Sequence, residues 1–261
     1  MSADLRDAPL LTERRDHVLL VTLNRPRRRN ALDASLIASL RHLWSDREAL
    51  RGVRCIVLTG AAPGFCSGAD MSLLASARDD VPETAREELS FLPGLQVDAP
   101  VIVAVNGVCA GGGLHFVADA DIALASDDAS FLDPHVSVGQ VSALEPLSLL
   151  PRSRNAIVRM ALIGRAERID AAQALSAGLV SEVTPADGLL DRALQLAELV
   201  AENSPAAVAA TRRQLRQLED DLLERALEDG WAAIRAHWSH PDAHEGPRAF
   251  IEKRRPRWAD R

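Results

Sequence analysis

Apolar residues along the chain recur with two periods. Short runs rich in Val, Ile and Leu, bounded by turn residues, occur at His17 to Asn24, Arg54 to Leu58, Val101 to Val105, Ile122 to Ala125 and Ser130 to Leu132, and predict strands. The first stops at Asn24-Arg25-Pro26, because proline cannot donate to a ladder. After it, Leu32, Leu36, Ile37, Leu40, Leu43 and Trp44 fall at helical spacing with Asp33 placed to cap the first turn. A weaker helical pattern covers Glu83 to Val97. In the second half, Asp170 caps a helix that Gly178 ends, and Ser204-Pro205 opens a long one. Its stripe of Leu223, Leu227, Trp231, Ile234 and Trp238 predicts packing on the core or on a neighbouring subunit. Strands separated by helices predict an α/β fold, either a spiral of β-β-α turns or a layered sheet.

Length and charge narrow the classes. A chain of 261 residues, 47% of them hydrophobic, buries one substantial core with room for an appended subdomain. A formal charge of −7 argues against a nucleic-acid partner, since that affinity rests on surplus Lys and Arg. Cys55, Cys66 and Cys109 show no metal-ligand spacing and fit a reducing compartment, so no metal site is expected. The first fifteen residues lack a signal-peptide core, and no stretch reaches the roughly 18 apolar residues of a membrane span. A cytoplasmic protein with no membrane partner is the expectation.

The chemistry concentrates in two small-residue loops, each following a strand. One reads Gly64-Phe65-Cys66-Ser67-Gly68-Ala69-Asp70-Met71, the other Asn106-Gly107-Val108-Cys109-Ala110-Gly111-Gly112-Gly113-Leu114-His115. Glycine and alanine let backbone approach a ligand, and amides at a strand-to-helix turn lack a partner of their own. Neither loop carries the lysine of a phosphate loop or the spacing of a dinucleotide site. Two such amides converging on one oxygen would make a polarising site.

With these loops, Asn24-Arg25-Pro26 and Arg29-Asn30-Ala31-Leu32 before them, Pro100 leading into the second, and Asp170-Ala171-Ala172 with Gly178-Leu179-Val180 after, the chain resembles the crotonase (enoyl-CoA hydratase/isomerase) family over nearly its whole length. The resemblance implies a spiral of β-β-α turns over residues 1–200 and a C-terminal helical trimerisation subdomain over residues 201–261, assembled as a homotrimer or a dimer of trimers. It implies an oxyanion hole formed by the amides of Ala69 and Gly112, holding a thioester carbonyl as charge moves onto it. Coenzyme A would enter as part of an acyl-CoA thioester substrate, with no separate cofactor. By position, Arg25, Arg29, Ala31, Ser67 and Asp70 would border the coenzyme, while Phe250 and Lys253, in Phe250-Ile251-Glu252-Lys253-Arg254, would reach its nucleotide, often that of an adjoining subunit. Read alone, the arginines at 25, 27, 28 and 29 are equally a solvated charge run.

The family's hydratases carry two glutamates facing the substrate, one after the glycine triplet and one on a following Pro-Glu step. This chain has His115 and His135 at those positions. Ten residues beyond His135, Glu145 either orients that ring, fixing its tautomer, or starts a helix. Three functions are open: an enoyl-CoA hydratase or isomerase working with histidines, a carbon–carbon hydrolase of a β-diketone or β-dicarbonyl thioester using water activated by His135 and Glu145, and a non-catalytic acyl-CoA binder. Catalytic imidazoles predict activity that falls as pH drops through about 6.5. Cys66 and Cys109 flank the hole and read as packing, no base standing beside either.

Overall fold

The computed structural model describes residues 8–70, 81–94 and 96–259, so Met71 of the first loop and Leu95 of the weak helical pattern lie outside the described residues. The strands are β1 (Leu10–Arg15), β2 (Val18–Leu23), β3 (Cys55–Gly60), β4 (Val101–Val105), β5 (Val108–Ala110), β6 (Ile122–Ser126), β7 (Ser130–Leu132), β8 (Ile169–Asp170) and β9 (Glu182–Thr184). Six of them form one sheet in the order β1-β2-β3-β4-β6-β9, and β5, β7 and β8 form a second. Consecutive strands β4 and β5, then β6 and β7, go one to each sheet, which is the β-β-α spiral expected. Only the first pair of the large sheet, β1 with β2, is antiparallel.

The continuous apolar runs follow from burial on both faces. Leu19, Val21 and Leu23 of β2 with Ile56 and Leu58 of β3 face the main core, while Val18, Leu20, Cys55 and Val57 face a second cluster. That second cluster is closed by Leu189, Ala193, Leu194, Ala197 and Ala201 of a helix spanning Leu189–Glu202. On the main face lies α1 (Ala34–Ser45), capped as expected: the Asp33 carboxylate accepts from the Leu36 N–H at 2.8 Å. Leu36, Leu40, Leu43 and Trp44 are its buried side.

The helix expected over Glu83 to Val97 is cut short. It is the single turn α2 (Ala85–Glu88) and a 3-10 turn at Leu89–Phe91, after which Leu92 is extended at ψ 139°. Pro93 is the reason, since it disfavours helical geometry in the residue before it. Further along come α3 (Gly113–Asp119), α4 (Leu144–Leu149), α5 (Arg154–Ile163), α6 (Ala171–Ser176), α7 (Leu189–Glu202), α8 (Pro205–His237) and α9 (Pro241–Ile251). Asp170 caps α6 with a reciprocal bond from Gln173, and Ser204 caps α8. The tryptophan stripe turns inward on the same chain: Trp231 is buried in the main core with Leu227, Ile234 and Trp238 against it. The Trp231 indole N–H donates to the Pro82 carbonyl at 3.0 Å, so α8 roofs the region between the two loops and α2.

Candidate active site

The first loop is held by three sets of bonds. The buried Asn30 amide donates to the carbonyls of Ala61 (2.8 Å) and Gly64 (2.7 Å), and its oxygen accepts the Arg25 N–H at 2.8 Å. Cys66 forms a one-residue bridge to Cys109 beside β5, its N–H donating to Val108 and its carbonyl accepting from Ala110. Leu32 pairs across to Ala69 through bonds on either side, from the Leu32 N–H to Gly68 and from the Asp70 N–H to Leu32, both at 2.8 Å. Among the described residues, no acceptor takes the N–H of Ala69 or of Gly112.

These two amides lie close together. A β-carbon on Gly112 would stand 3.7 Å from the Ala69 nitrogen, and one on Gly68 would stand 3.2 Å from the Gly112 nitrogen and 2.8 Å from the Ala110 carbonyl oxygen. Gly68 also has φ +88°, so glycine is required there on two counts. Ala69 and Gly112 line a cavity of about 110 Å³ together with His115, His135 and Glu145. Its apolar wall includes Leu32, Phe91, Leu144, Trp231 and Trp238. The stripe read as packing therefore also walls the site.

Each polar group reaches the cavity from a different element. His115 sits in the first turns of α3, 6% exposed, with the Phe91 ring edge-on at 6.0 Å. Phe91 is fixed in turn by its carbonyl, which accepts the Trp44 indole N–H at 2.8 Å. Glu145, 5% exposed, starts α4, and His135 opens the 3-10 turn His135–Val138. One carboxylate oxygen of Glu145 serves both rings, 3.1 Å from His115 Nε2 and 3.6 Å from His135 Nε2. On the far side of His135, Nδ1 is 2.6 Å from Asp133, whose second oxygen accepts from the Ser142 hydroxyl.

The carboxylate beside His135 Nδ1 is Asp133, two residues away in sequence, while Glu145, expected at this ring from the sequence, stands 3.6 Å from its Nε2. Glu145 makes its shorter contact to His115 instead. Asp133 has only a weak signal in the sequence, an acid two residues before the histidine and one before Pro134.

Burial opposes charge on His135, but the Glu145 carboxylate, and then Asp133, outweigh it and raise the imidazole to about 9. Burial pushes Glu145 upward as well. The positive charge of His135 and the contact with His115 overcome this and hold Glu145 well below the usual carboxylate range. His135 is accordingly an imidazolium at neutral pH, and its charge is lost as pH rises through about 9 rather than gained near 6.5. Burial raises the Cys66 thiol to about 12 and Cys109 well above its ordinary value, which makes both unreactive packing groups.

The other sequence candidates lie off this cavity. Arg25 is engaged internally, its guanidinium 2.8 Å from Asp33 and 3.3 Å from Asp70 and donating to the Ala31 carbonyl. Arg29 is exposed in a left-handed conformation, φ +51°, and its carbonyl accepts the Ser67 N–H at 3.1 Å. The Ser67 hydroxyl reaches the Arg28 carbonyl at 3.5 Å, and Ala31 is buried. Phe250, near the end of α9, and Lys253, just beyond it, are both exposed, and neither lines the cavity.

The fold has many known counterparts. The sequence model of the enoyl-CoA hydratase/isomerase family matches residues 13–261. The mevalonyl-coenzyme A hydratase of Aspergillus fumigatus is 34% identical, with 93% of this chain and 91% of that protein covered. The (E)-benzylidenesuccinyl-CoA hydratase of Thauera aromatica is 34% identical over 95% of this chain and 98% of its own length. Among solved structures, carnitinyl-CoA hydratase from Mycobacterium avium superposes with a TM-score of 0.87 at 30% identity, covering 97% of this chain and 99% of that one. The chain belongs to the enoyl-CoA hydratase/isomerase family, and its function is of the acyl-CoA hydratase/isomerase type. Among the described residues no helix is long and apolar enough to cross a membrane.

Proposed function

We propose that this protein adds water to, or removes it from, an acyl-CoA thioester, using Glu145 and His135 for proton transfer and the amides of Ala69 and Gly112 for the thioester oxygen. The observation that carries the reading is one carboxylate held between two imidazoles in the same small cavity as two amides with no acceptor among the described residues. Coenzyme A enters only as part of the substrate, and Arg29 with the exposed Phe250 and Lys253, the last two acting from an adjoining subunit of a homotrimer, are its proposed contacts.

Water held by Glu145 attacks the β-carbon of the enoyl thioester, and the electron pair moves onto the thioester oxygen between the two N–H groups. Each such donor is worth about 3–4 kcal/mol to the transition state. The His135 imidazolium gives its Nε2 proton to the α-carbon, while Glu145 takes the proton from water. Glu145 is a weak base only while His135 is charged, so its basicity rises as His135 discharges. The 3.6 Å separation then lets the proton return from Glu145 to His135. His115 holds the shared oxygen in place throughout.

A second reading is carbon–carbon bond hydrolysis of a β-dicarbonyl thioester or β-diketone. It is favoured by the pairing of each imidazole with a carboxylate, His135 with Asp133 and His115 with Glu145, an arrangement suited to activating water against a ketone. Incubation with crotonyl-CoA and, separately, with a cyclic β-diketone and its CoA thioester, read by mass, separates the readings. A gain of one water on crotonyl-CoA that disappears in His135→Ala while CoA-ester binding persists supports hydration. Ring-opened product from the diketone alone supports hydrolysis, and binding without turnover of either leaves a non-catalytic binder.

A further inference from the structure

Asp133 is 1% exposed, yet among the described residues no Arg or Lys pairs with it. Its donors are the His135 backbone N–H (3.1 Å), the His135 ring at Nδ1 (2.6 Å) and the Ser142 hydroxyl. A buried carboxylate is held by the donors that face it, and of these three the His135 ring is the titratable one. Pro134 between the two residues limits the backbone, so the ring and the acid meet across one tight turn. The ring's edge is closed by Gly111, where a β-carbon would stand 3.4 Å from His135 Cε1. Ser142 faces the other way, lining an outer groove of about 620 Å³ that shares Gln140 and Val141 with the cavity wall.

We propose that Asp133 is a positioning residue for His135: it keeps Nδ1 protonated and Nε2 turned to the cavity, and Ser142 holds the Asp133 carboxylate in place. The contact itself is independent of the reaction, but its catalytic consequence rests on the reading of His135 as the proton donor. A neutral imidazole has two tautomers, and the bond made by one nitrogen decides which is present. Only the Nδ1–H tautomer leaves Nε2 open to regain a proton from Glu145. The groups that face this turn are Glu145 on α4 and, through it, His115 on α3. Behind it are His237 of α8, bonded to the Gly139 carbonyl, His240 and Asp242 beside Gly139, and Arg165, whose N–H bonds Ser137. None of the latter set contacts the ring, so Asp133 and Glu145 set its charge between them.

The test begins with the unmodified protein, in which nitrogen chemical shifts of the His135 ring report its tautomer above pH 9. The Nδ1–H form is expected, and the Nε2–H form would overturn the proposal without any variant. Asp133→Asn keeps an acceptor for Nδ1 but removes the charge. It should lower the His135 titration by about one pH unit and kcat by about tenfold, with KM within twofold. Asp133→Ala removes the acceptor too and should lose at least another tenfold in kcat. A folded Asp133→Asn protein whose His135 titrates as in the parent would overturn the proposal. A lowered titration with unchanged kcat supports Asp133 as the positioner and removes His135 from proton transfer, so failure of the reaction assignment is read separately. Ser142→Ala, at a half-buried position, should cost several-fold in kcat with the tautomer retained.

Discussion

Replacing Glu145 with glutamine removes one charge and almost no volume from between two imidazoles. The parent His135 stands at about 9 against an ordinary 6.5, a difference of about 3 kcal/mol in favour of the charged ring after burial has been met. At 3.6 Å and an effective dielectric near 20, the Glu145 carboxylate alone supplies about 5 kcal/mol of attraction. It is also the largest of the attractions acting on the ring, with Asp133 behind it. Burial is therefore overcome by Glu145 and Asp133 together, Asp133 acting through both its hydrogen bond and its charge, and loss of the Glu145 charge alone should lower the ring's titration. In Glu145→Gln, His135 should titrate at least about one unit below the parent, so that at about pH 8.5 the ring is mostly neutral where the parent is mostly charged. A pH titration of the histidine ring resonances in both proteins measures this directly, and kcat for enoyl-CoA hydration should fall by about 10²–10⁴ as the base is lost. A His135 still titrating at 8.5 or above in the variant would refute the coupling on which the proton return depends.

Other outcomes test the rest of the account. In the parent, kcat should be flat through neutral pH and fall as pH rises through about 9, where His135 discharges; a loss centred near 6.5 on the acid side would assign the limiting group elsewhere. Arg29→Ala should raise KM for a CoA ester about three- to tenfold with kcat unchanged in steady-state kinetics, and an unchanged KM removes this exposed arginine from the coenzyme site. Asn30→Ala deletes three bonds of 2.7–2.8 Å at a fully buried position, so denaturant unfolding should show a loss of about 3–5 kcal/mol, and a loss below about 1 kcal/mol would show that the loop is held by other means.

The sequence showed what a residue's own neighbours determine. The strands β2, β3, β4, β6 and β7 are apolar runs, and α1 has its cap and its stripe, so both were readable. β1 was not, because Thr12, Glu13, Arg14 and Arg15 are exposed on an edge strand and carry no core signal. β5, β8 and β9 are two or three residues long and exist through pairing alone. The two loops and His115, His135 and Glu145 could be placed in one site from motif order. Which acid serves which ring could not be read, since Glu145 meets His115 only through the packing of α3 and α4, and Asp133 meets His135 only through the turn at Pro134. The role of Trp231 and Trp238 as cavity wall was hidden for the same reason, because a helical stripe looks alike whether it covers a core or a ligand.

The account turns on where a bound thioester places its oxygen. A crystal structure of the protein with a non-reactive acyl-CoA reads the two relevant distances directly, and the carbonyl oxygen should lie about 2.7–3.1 Å from both the Ala69 and the Gly112 nitrogens, with the α-carbon facing His135 Nε2. An oxygen bonded to other donors, or to only one of the two amides with the acyl chain turned from Glu145, would contradict it.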